Sequence, residues 1–389
     1  METTRFHSKM QVMGVIALII GAIILATNFT PQSYFYGWVF WACVAFGFFG
    51  LSLLHHMAKG SWGYPVMRLL EAGGGWEMLL LFGLLFTPVW MSWRPALYSW
   101  MHEAERKIPI VAAKLSFLDN WYVPFTIAMF LVFVFFAYRN EMWLKKEDET
   151  GEKVYLQRRT NWSSFFFPFF VVGINFAVTL WIMSMRPEWY STMYGIWFVV
   201  QQGLAAMAIV AIIIGTQADK EPFKKVVTPA LTKDIGNLML TLTMLWAYFS
   251  FSQYLIIWSG NLPEQISYWV ERRQGGFQDL GAILIAYGFF VPFLLLLSPR
   301  MKREPRRLAV IGVIILIARF LDIHYNVAPM FGPMTGHTAM ASLYDAILPK
   351  IGSLLAFGGL WCWMFGWKVQ RAPLLVKNQP QLKGALENA

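Results

Sequence analysis

The sequence predicts an all-α, polytopic membrane protein with about ten transmembrane helices. Hydrophobic residues make up 57% of the 389 residues and charged residues only 14%, whereas soluble domains have roughly 25% charged residues. So few charges leave too little polar surface for a soluble protein. Because the apolar stretches follow one another closely, residues 1–389 are expected to form a single integral membrane domain.

Ten apolar stretches carry this prediction. A hydrocarbon core about 30 Å thick needs roughly 20 apolar residues of helix, and most of the stretches approach that length. In chain order they cover residues 10–27, 36–56, 76–93, 121–143, 162–185, 190–215, 235–258, 279–298, 307–327 and 350–367. The first follows Arg5 and Lys9 and resembles a signal peptide. It continues for about a full span without an obvious small-residue cleavage site, so we predict a helix there.

Aromatic residues mark the ends of many of these stretches, as expected at a membrane interface. They are Tyr34, Tyr36, Trp38, Trp90, Trp93, Trp121, Tyr122, Trp189, Tyr190, Trp258 and Trp367.

The basic residues predict the orientation. With ten spans, 23 of the 32 lysines and arginines lie on the side of the N-terminus. These are Arg5, Lys9, Lys59, Arg68, Arg139, Lys145, Lys146, Lys153, Arg158, Arg159, Lys220, Lys224, Lys225, Lys233, Arg300, Lys302, Arg303, Arg306, Arg307, Lys368, Arg371, Lys377 and Lys383. Positive charge resists translocation, so this side and both termini are expected to be cytoplasmic. The net charge of +10 therefore indicates contact with anionic lipid rather than nucleic acid.

Two segments on the opposite side are longer than simple turns. In residues 97–119, apolar and charged residues at helical spacing indicate an amphipathic interfacial helix, broken at Pro109. In residues 259–278, Asn261 is a candidate N-cap, and Pro263 and Glu264 suit the first turn of a short helix. The segments either form a lid that docks an extracytoplasmic partner or merely pack on each other.

The ninth span carries the most informative residues. Arg319, Asp322 and Asn326 are spaced to share one helical face, and Arg319 lies roughly 17 Å from the inner boundary at 1.5 Å per residue. An ionisable side chain at this depth is costly and needs a partner or a purpose. The pair either locks helix packing or belongs to a proton path with His324 and Tyr325 as neighbours, and we favour the proton path.

A second group of titratable residues lies on the N-terminal side. His55 and His56 close the second span, and Glu71 and Glu77 precede and begin the third. Glu71, Glu77 and one of the two histidines either form the mouth of a cytoplasmic proton path or are solvated loop residues.

Lys59 and Arg68 in the same region are expected to be solvated. The glycine run at residues 73–75 lacks the features of a phosphate-binding loop and is expected to let the chain turn into the third helix.

Uncharged polar residues inside spans are expected to form hydrogen bonds between helices. They are Asn175, Gln201, Gln202, Ser250, Ser252 and Gln253. Ser250 and Gln253 share a face at the level of Asp322, where such groups beside aromatic rings also suit a quinone headgroup. Packing is the favoured interpretation and quinone contact the alternative.

The sequence predicts no resident cofactor or metal. The two cysteines, Cys43 and Cys362, lie inside apolar stretches without a C-x-x-C motif, which argues against iron–sulfur and zinc sites. His55 and His56 are adjacent and His324 lies toward the other membrane face, so a bis-histidine haem site is not expected.

Three regions together resemble one protein family. The first is His-His-Met-Ala-Lys-Gly-Ser-Trp-Gly at 55–63 with Arg-Leu-Leu-Glu-Ala-Gly at 68–73. The second is Trp-Ala-Tyr-Phe-Ser-Phe-Ser-Gln-Tyr-Leu-Ile-Ile-Trp-Ser-Gly-Asn-Leu-Pro-Glu at 246–264, and the third is Arg-Phe-Leu-Asp-Ile-His-Tyr-Asn-Val-Ala-Pro at 319–329. The chain resembles the polytopic membrane subunits of alternative complex III, above all the shorter of its two large ones. These are related to the membrane subunit of polysulfide reductase.

The resemblance implies two four-helix bundles with flanking helices in a bacterial inner-membrane quinol:electron-acceptor oxidoreductase. It implies partners in a sister polytopic subunit, an iron–sulfur subunit and c-type cytochrome subunits, which would hold the iron–sulfur clusters and haem c. The chain itself would hold no cofactor, would not be catalytic alone, and would support quinol oxidation and proton conduction. Two alternatives remain open: a secondary transporter of a small solute or ion, and a purely structural membrane anchor.

Overall fold

The computed structural model describes residues 2–331 and 347–376. Within these ranges the chain is helical and contains no β-strand, and ten of its helices are long and apolar enough to cross a membrane. The predicted all-α polytopic class is thereby confirmed. In chain order we label these helices α1 (Glu2–Thr27), α2 (Pro31–Ala58), α3 (Ser61–Leu97), α4 (Pro109–Thr150), α5 (Lys153–Met185), α6 (Thr192–Gln217), α7 (Pro229–Gly260), α8 (Phe277–Leu297), α9 (Pro305–Met330) and α10 (Ile347–Arg371).

The ten helices form two four-helix bundles and a flanking pair. Helices α2 to α5 pack in a ring, and α6 to α9 form a second ring. The bundles join where α2 and α6 contact each other, so these two apolar helices are buried over most of their length. The remaining pair, α1 and α10, packs against the first bundle through α2.

Helix α1 is held almost entirely by α10, and glycines allow the two backbones to approach closely. Gly14 and Gly21 on α1 face Gly359 and Gly352 on α10. A Cβ atom at Gly21 would lie 2.6 Å from the carbonyl oxygen of Gly352. The opposite face of α1 exposes apolar side chains, as a lipid-facing helix does.

Gly21→Ala is therefore expected to destabilise the protein by about 1–3 kcal/mol, the usual cost of overpacking, because backbone atoms of α10 cannot move aside. Thermal unfolding in mild detergent measures this loss. Gly260→Ala is the matched control, since no heavy atom lies within 4 Å of the added Cβ. Equal midpoints for both variants would contradict the close α1–α10 contact.

Helix α3 begins at Ser61, well before the predicted residue 76. A 3₁₀ turn (Ser61–Val66) leads into an α-helix (Met67–Gly74), and Gly75 then bends the chain into the helix Trp76–Leu85. The glycine run does turn the chain as predicted. It also brings α3 against α2, because a Cβ at Gly74 would lie 2.7 Å from the carbonyl oxygen of Ala45.

The helix predicted over residues 97–119 forms only from Pro109 onward, where Val111 and Leu118 are buried. Before Pro109 the chain has only a 3₁₀ turn and a one-turn helix, so Pro109 begins α4 instead of breaking a helix. Proline suits a first helical turn because the N–H it lacks has no partner there.

In the second outer segment the helix Pro263–Glu271 forms, with Pro263 and Glu264 in its first turn as predicted. Its N-cap is Leu262, so the assignment of Asn261 is wrong. Asn261 instead ends α7 in a left-handed conformation with φ of 47°.

The two segments, residues 97–119 and 259–278, contact the end of α5 and the loop that follows it. Ser99 Oγ donates a hydrogen bond to the Met185 carbonyl (3.0 Å), and Arg186 lies 3.5 Å from Glu271. This part of the chain therefore joins the two segments on the side opposite the N-terminus. Docking of a partner there stays a prediction.

A reporter fused after Ala389 or inserted near Lys146 is expected to be cytoplasmic, because the basic residues concentrate on that side. Ala389, Lys377 and Lys383 lie outside the described residues. A reporter near Gln274, on the opposite side, is the control and is expected to be extracytoplasmic. The reverse pattern would overturn the predicted orientation.

Candidate functional site: a polar cavity in the second bundle

The Arg319–Asp322 pair lies buried inside the second bundle. Arg319 Nη1 is 2.8 Å from Asp322 Oδ2, and the two side chains are 0% and 3% exposed. Asn326 Nδ2 donates to Asp322 Oδ1 at 3.1 Å. The three residues therefore share one face of α9, as their spacing predicts.

Trp246 on α7 contacts both members of the pair. Its indole Nε1 donates to Asp322 Oδ2 at 2.6 Å, and the Arg319 guanidinium carbon lies 4.0 Å from its ring centroid. A cation over an indole face is electrostatically favourable. The carboxylate thus accepts bonds from three side chains, and these bonds hold it in one orientation.

A second set of hydrogen bonds joins Asn326, which contacts this carboxylate, to the helix Pro263–Glu271 and to Arg272 at its end. Tyr268 Oη donates to Asn326 Oδ1 at 2.5 Å, and the Arg272 guanidinium lies 3.3 Å from the Tyr268 ring centroid. Arg272 Nη2 also donates to the Asn326 carbonyl at 2.7 Å. Burial raises the pKa of the Tyr268 hydroxyl, so it stays a donor at neutral pH. The outer helix is thereby fastened to the end of α9.

A cavity of about 720 Å³ opens beside Asp322, between α7, α8, α9 and the helix Pro263–Glu271. This volume falls within the usual range of ligand sites, roughly 300–1,000 Å³. Its polar lining is Ser250, Gln253, Arg272, Arg273, Gln278, Asp322, Tyr325 and Asn326. Most of the remaining wall is aromatic: Trp197, Trp246, Phe251, Tyr254, Trp258, Trp269, Phe289 and Phe290. Phe251, Ile285 and Phe290 are exposed, so the cavity adjoins an apolar surface of the helices α7 and α8.

Ser250 and Gln253 line this cavity and also bond neighbouring helices or loops. Trp197 Nε1 donates to Ser250 Oγ at 2.9 Å, and Ser191 Oγ donates to Gln253 Oε1 at 3.2 Å. Both residues therefore form the packing hydrogen bonds expected from the sequence, and quinone contact stays a prediction.

His324 and Tyr325 point to different places. Tyr325 lines the cavity, whereas the His324 ring packs between the rings of Tyr36 and Phe277 at centroid distances of 5.5 and 5.9 Å. The structure thus separates His324 from the cavity lining.

The acidic residues on the N-terminal side form two buried groups of ion pairs, the ion-pair network around Arg159 and a second group around Lys368. Arg159 Nη2 lies 2.6 Å from Glu71 Oε1. Lys368 on α10 contacts both Glu77 and Glu141, the latter at 2.8 Å. Glu71 and Glu77 therefore lie in separate ion-pair groups, which bind helices together.

The expectation that Arg68 is solvated is wrong. Its side chain is buried and pairs with Glu71 and Asp148, because the helix Met67–Gly74 packs against the bundle. Lys59 is exposed as predicted, at the end of α2.

His55 and His56 point in different directions. The His55 ring packs on Tyr64, with ring centroids 4.7 Å apart. His56 lines a small cavity that it shares with Glu71 and Arg159. His56, not His55, therefore adjoins the ion-pair network.

Several residues of these sites were not found from the sequence. Trp246, Tyr268 and Arg272 complete the surroundings of Asp322. Arg159 completes the ion-pair network, and Lys368 completes the second group of ion pairs. Arg159 and Lys368 carried a signal only as basic residues near span ends. For Trp246, Tyr268 and Arg272, nothing in the local sequence pattern indicates that they lie near Asp322 or Asn326.

No protein-family model matches this chain, and no curated protein matches its sequence.

Proposed function

We propose that this chain is a cofactor-free membrane subunit of a quinol:electron-acceptor oxidoreductase and that the cavity beside Asp322 receives the quinol headgroup. The observation that carries the proposal is a cavity with aromatic walls, next to an apolar surface of α7 and α8, whose inner end is a hydrogen-bonded carboxylate. A planar ring suits the aromatic walls, and an isoprenoid tail suits the apolar surface beside the cavity.

The polar groups fit the chemistry of a quinol. Its oxidation releases two electrons and two protons, and Asp322 and Gln253 provide oxygen acceptors for its hydroxyl groups. In this proposal the electrons pass to iron–sulfur and c-haem centres of partner subunits. The Asp322 carboxylate accepts one proton, and the Tyr325 hydroxyl relays the other to water by receiving one proton and releasing another. The regions at 246–264 and 319–329, which carry the family resemblance, supply Trp246, Ser250, Gln253 and Asp322.

Photolabelling with an azidoquinone tests the cavity assignment. Labelled peptides are expected to contain residues 246–258 or 319–326. Ala282 lies on the cavity wall, so Ala282→Trp should fill the space and abolish the label there. Ala128→Trp on the exposed face of α4 is the matched control and should leave labelling intact. Equal labelling of both variants would refute the site.

Purification in mild detergent separates this proposal from the transporter alternative. A redox-complex subunit should co-isolate with c-haem and iron–sulfur polypeptides, whereas a transporter should purify alone or as an oligomer of itself. Co-isolation without azidoquinone labelling would favour the structural anchor.

A further inference from the structure

A small cavity lies inside the first bundle. None of its lining residues belongs to the cavity beside Asp322. The small cavity is enclosed by α2, α3, α4 and α5, and its polar lining includes Ser52, His56, Glu71, Asn140 and Arg159. Its volume is about 20 Å³. A water molecule needs roughly 10–15 Å³ measured in this way, so the space holds one water and not two.

Three polar atoms of the lining residues are buried without a hydrogen-bond partner among the protein atoms of the described residues. They are His56 Nε2, Asn140 Oδ1 and Arg159 Nε. The residues are 5%, 7% and 1% exposed, so bulk solvent does not satisfy these atoms. Buried polar groups left without partners are costly and rare in folded proteins.

The other bonds of these residues determine what each unpartnered atom can do. Asn140 uses its amide nitrogen to donate to Ser163 Oγ at 3.1 Å, which leaves Oδ1 as an acceptor. Arg159 uses Nη1 and Nη2 for Glu147 and Glu71, which leaves the Nε hydrogen as a donor. Neutral histidine protonated on Nδ1 presents Nε2 as an acceptor. One donor and two acceptors match the hydrogen-bonding capacity of one water molecule.

We propose that this cavity binds a single structural water molecule. The water accepts a hydrogen bond from Arg159 Nε and donates one each to Asn140 Oδ1 and His56 Nε2. Three bonds are the usual number for a buried water. The water therefore connects His56 to Arg159 and, through Arg159 Nη2, to Glu71.

A density map of the purified protein in its complex, at a resolution that shows ordered water, tests this site. A peak is expected within hydrogen-bonding distance of all three atoms. A second cavity of about 20 Å³ is the internal control: its lining is apolar, as at Trp38 and Phe46, apart from Cys43 and the Gln202 amide. Within the described part of the chain, the Gln202 Nε2 atom is its one unpartnered polar atom, and a buried water needs two to four polar partners, so this cavity is expected to be dry. A missing peak, or peaks of equal strength in both cavities, would overturn the proposal.

Asn140→Leu extends the test, because leucine has nearly the same shape and removes the acceptor. The peak is expected to disappear in this variant and to persist in Asn161→Leu, a control on the exposed surface of α5. If Asn140→Leu does not accumulate, His56→Phe replaces it with the same expected loss. A peak that persists unchanged in these variants contradicts the assigned bonds. The map does not depend on quinol, so this site and the proposed function fail separately.

Discussion

Replacing Arg319 alone with leucine is expected to leave little assembled protein, and replacing Asp322 alone with leucine should do the same. Each change leaves the other charge buried, since the two side chains are 0% and 3% exposed and 2.8 Å apart. Breaking a buried ion pair costs about 3–5 kcal/mol. Size-exclusion chromatography of the detergent-solubilised protein measures the assembled fraction.

The double variant Arg319→Leu with Asp322→Leu separates the two roles considered for the pair. It removes both charges, so assembly should largely recover. If the pair belongs to a proton path, quinol-linked proton movement should stay impaired in the assembled double variant. An assembled double variant with a normal proton-to-electron ratio would leave the pair as a packing element only.

An exposed ion pair provides the control for these variants. Arg306 lies 2.8 Å from Asp219, but their side chains are 76% and 74% exposed. Exposed pairs contribute about 0–1 kcal/mol, so Arg306→Leu and Asp219→Leu should assemble normally. Failure of these variants would show that the assay does not report on burial.

The second large effect is expected at Arg159, which is 1% exposed and joins three helices of the first bundle. Its guanidinium lies 2.6 Å from Glu71 on α3 and 3.2 Å from Glu147 on α4. Arg159→Leu leaves both carboxylates short of their partner, and we expect a loss of about 3–5 kcal/mol. Thermal unfolding in mild detergent reports the change.

Arg158→Leu is the matched control, because Arg158 is the preceding residue on α5 and its side chain is exposed. Surface substitutions usually change stability by less than about 0.5 kcal/mol. Arg159→Lys should lie between the two, because lysine keeps the charge but lacks the planar fork that reaches two carboxylates. Similar unfolding midpoints for Arg158→Leu and Arg159→Leu would contradict the network.

Some expectations from the sequence were wrong because the local pattern indicated one structure and tertiary packing produced another. Arg68 was expected to be solvated, yet the helix Met67–Gly74 packs against α2 and the Arg68 side chain is buried and pairs with Asp148 on α4. Pro109 was predicted to break a helix, but it begins α4. Proline is compatible with either role, so the residue alone did not decide between them. Asn261 was predicted to be the N-cap of the following helix, but it ends the preceding helix α7.

The sequence by itself determined the class of the protein, the number of spans and the shared face of Arg319, Asp322 and Asn326. Hydropathy and helical periodicity are local properties, so they can be read within a single segment. Only the tertiary structure decided that Trp246 and Tyr268 complete the surroundings of Asp322 and that Arg159 joins Glu71 to Glu147. These partners come from different helices, and their meeting depends on how the bundles pack, which no single segment encodes.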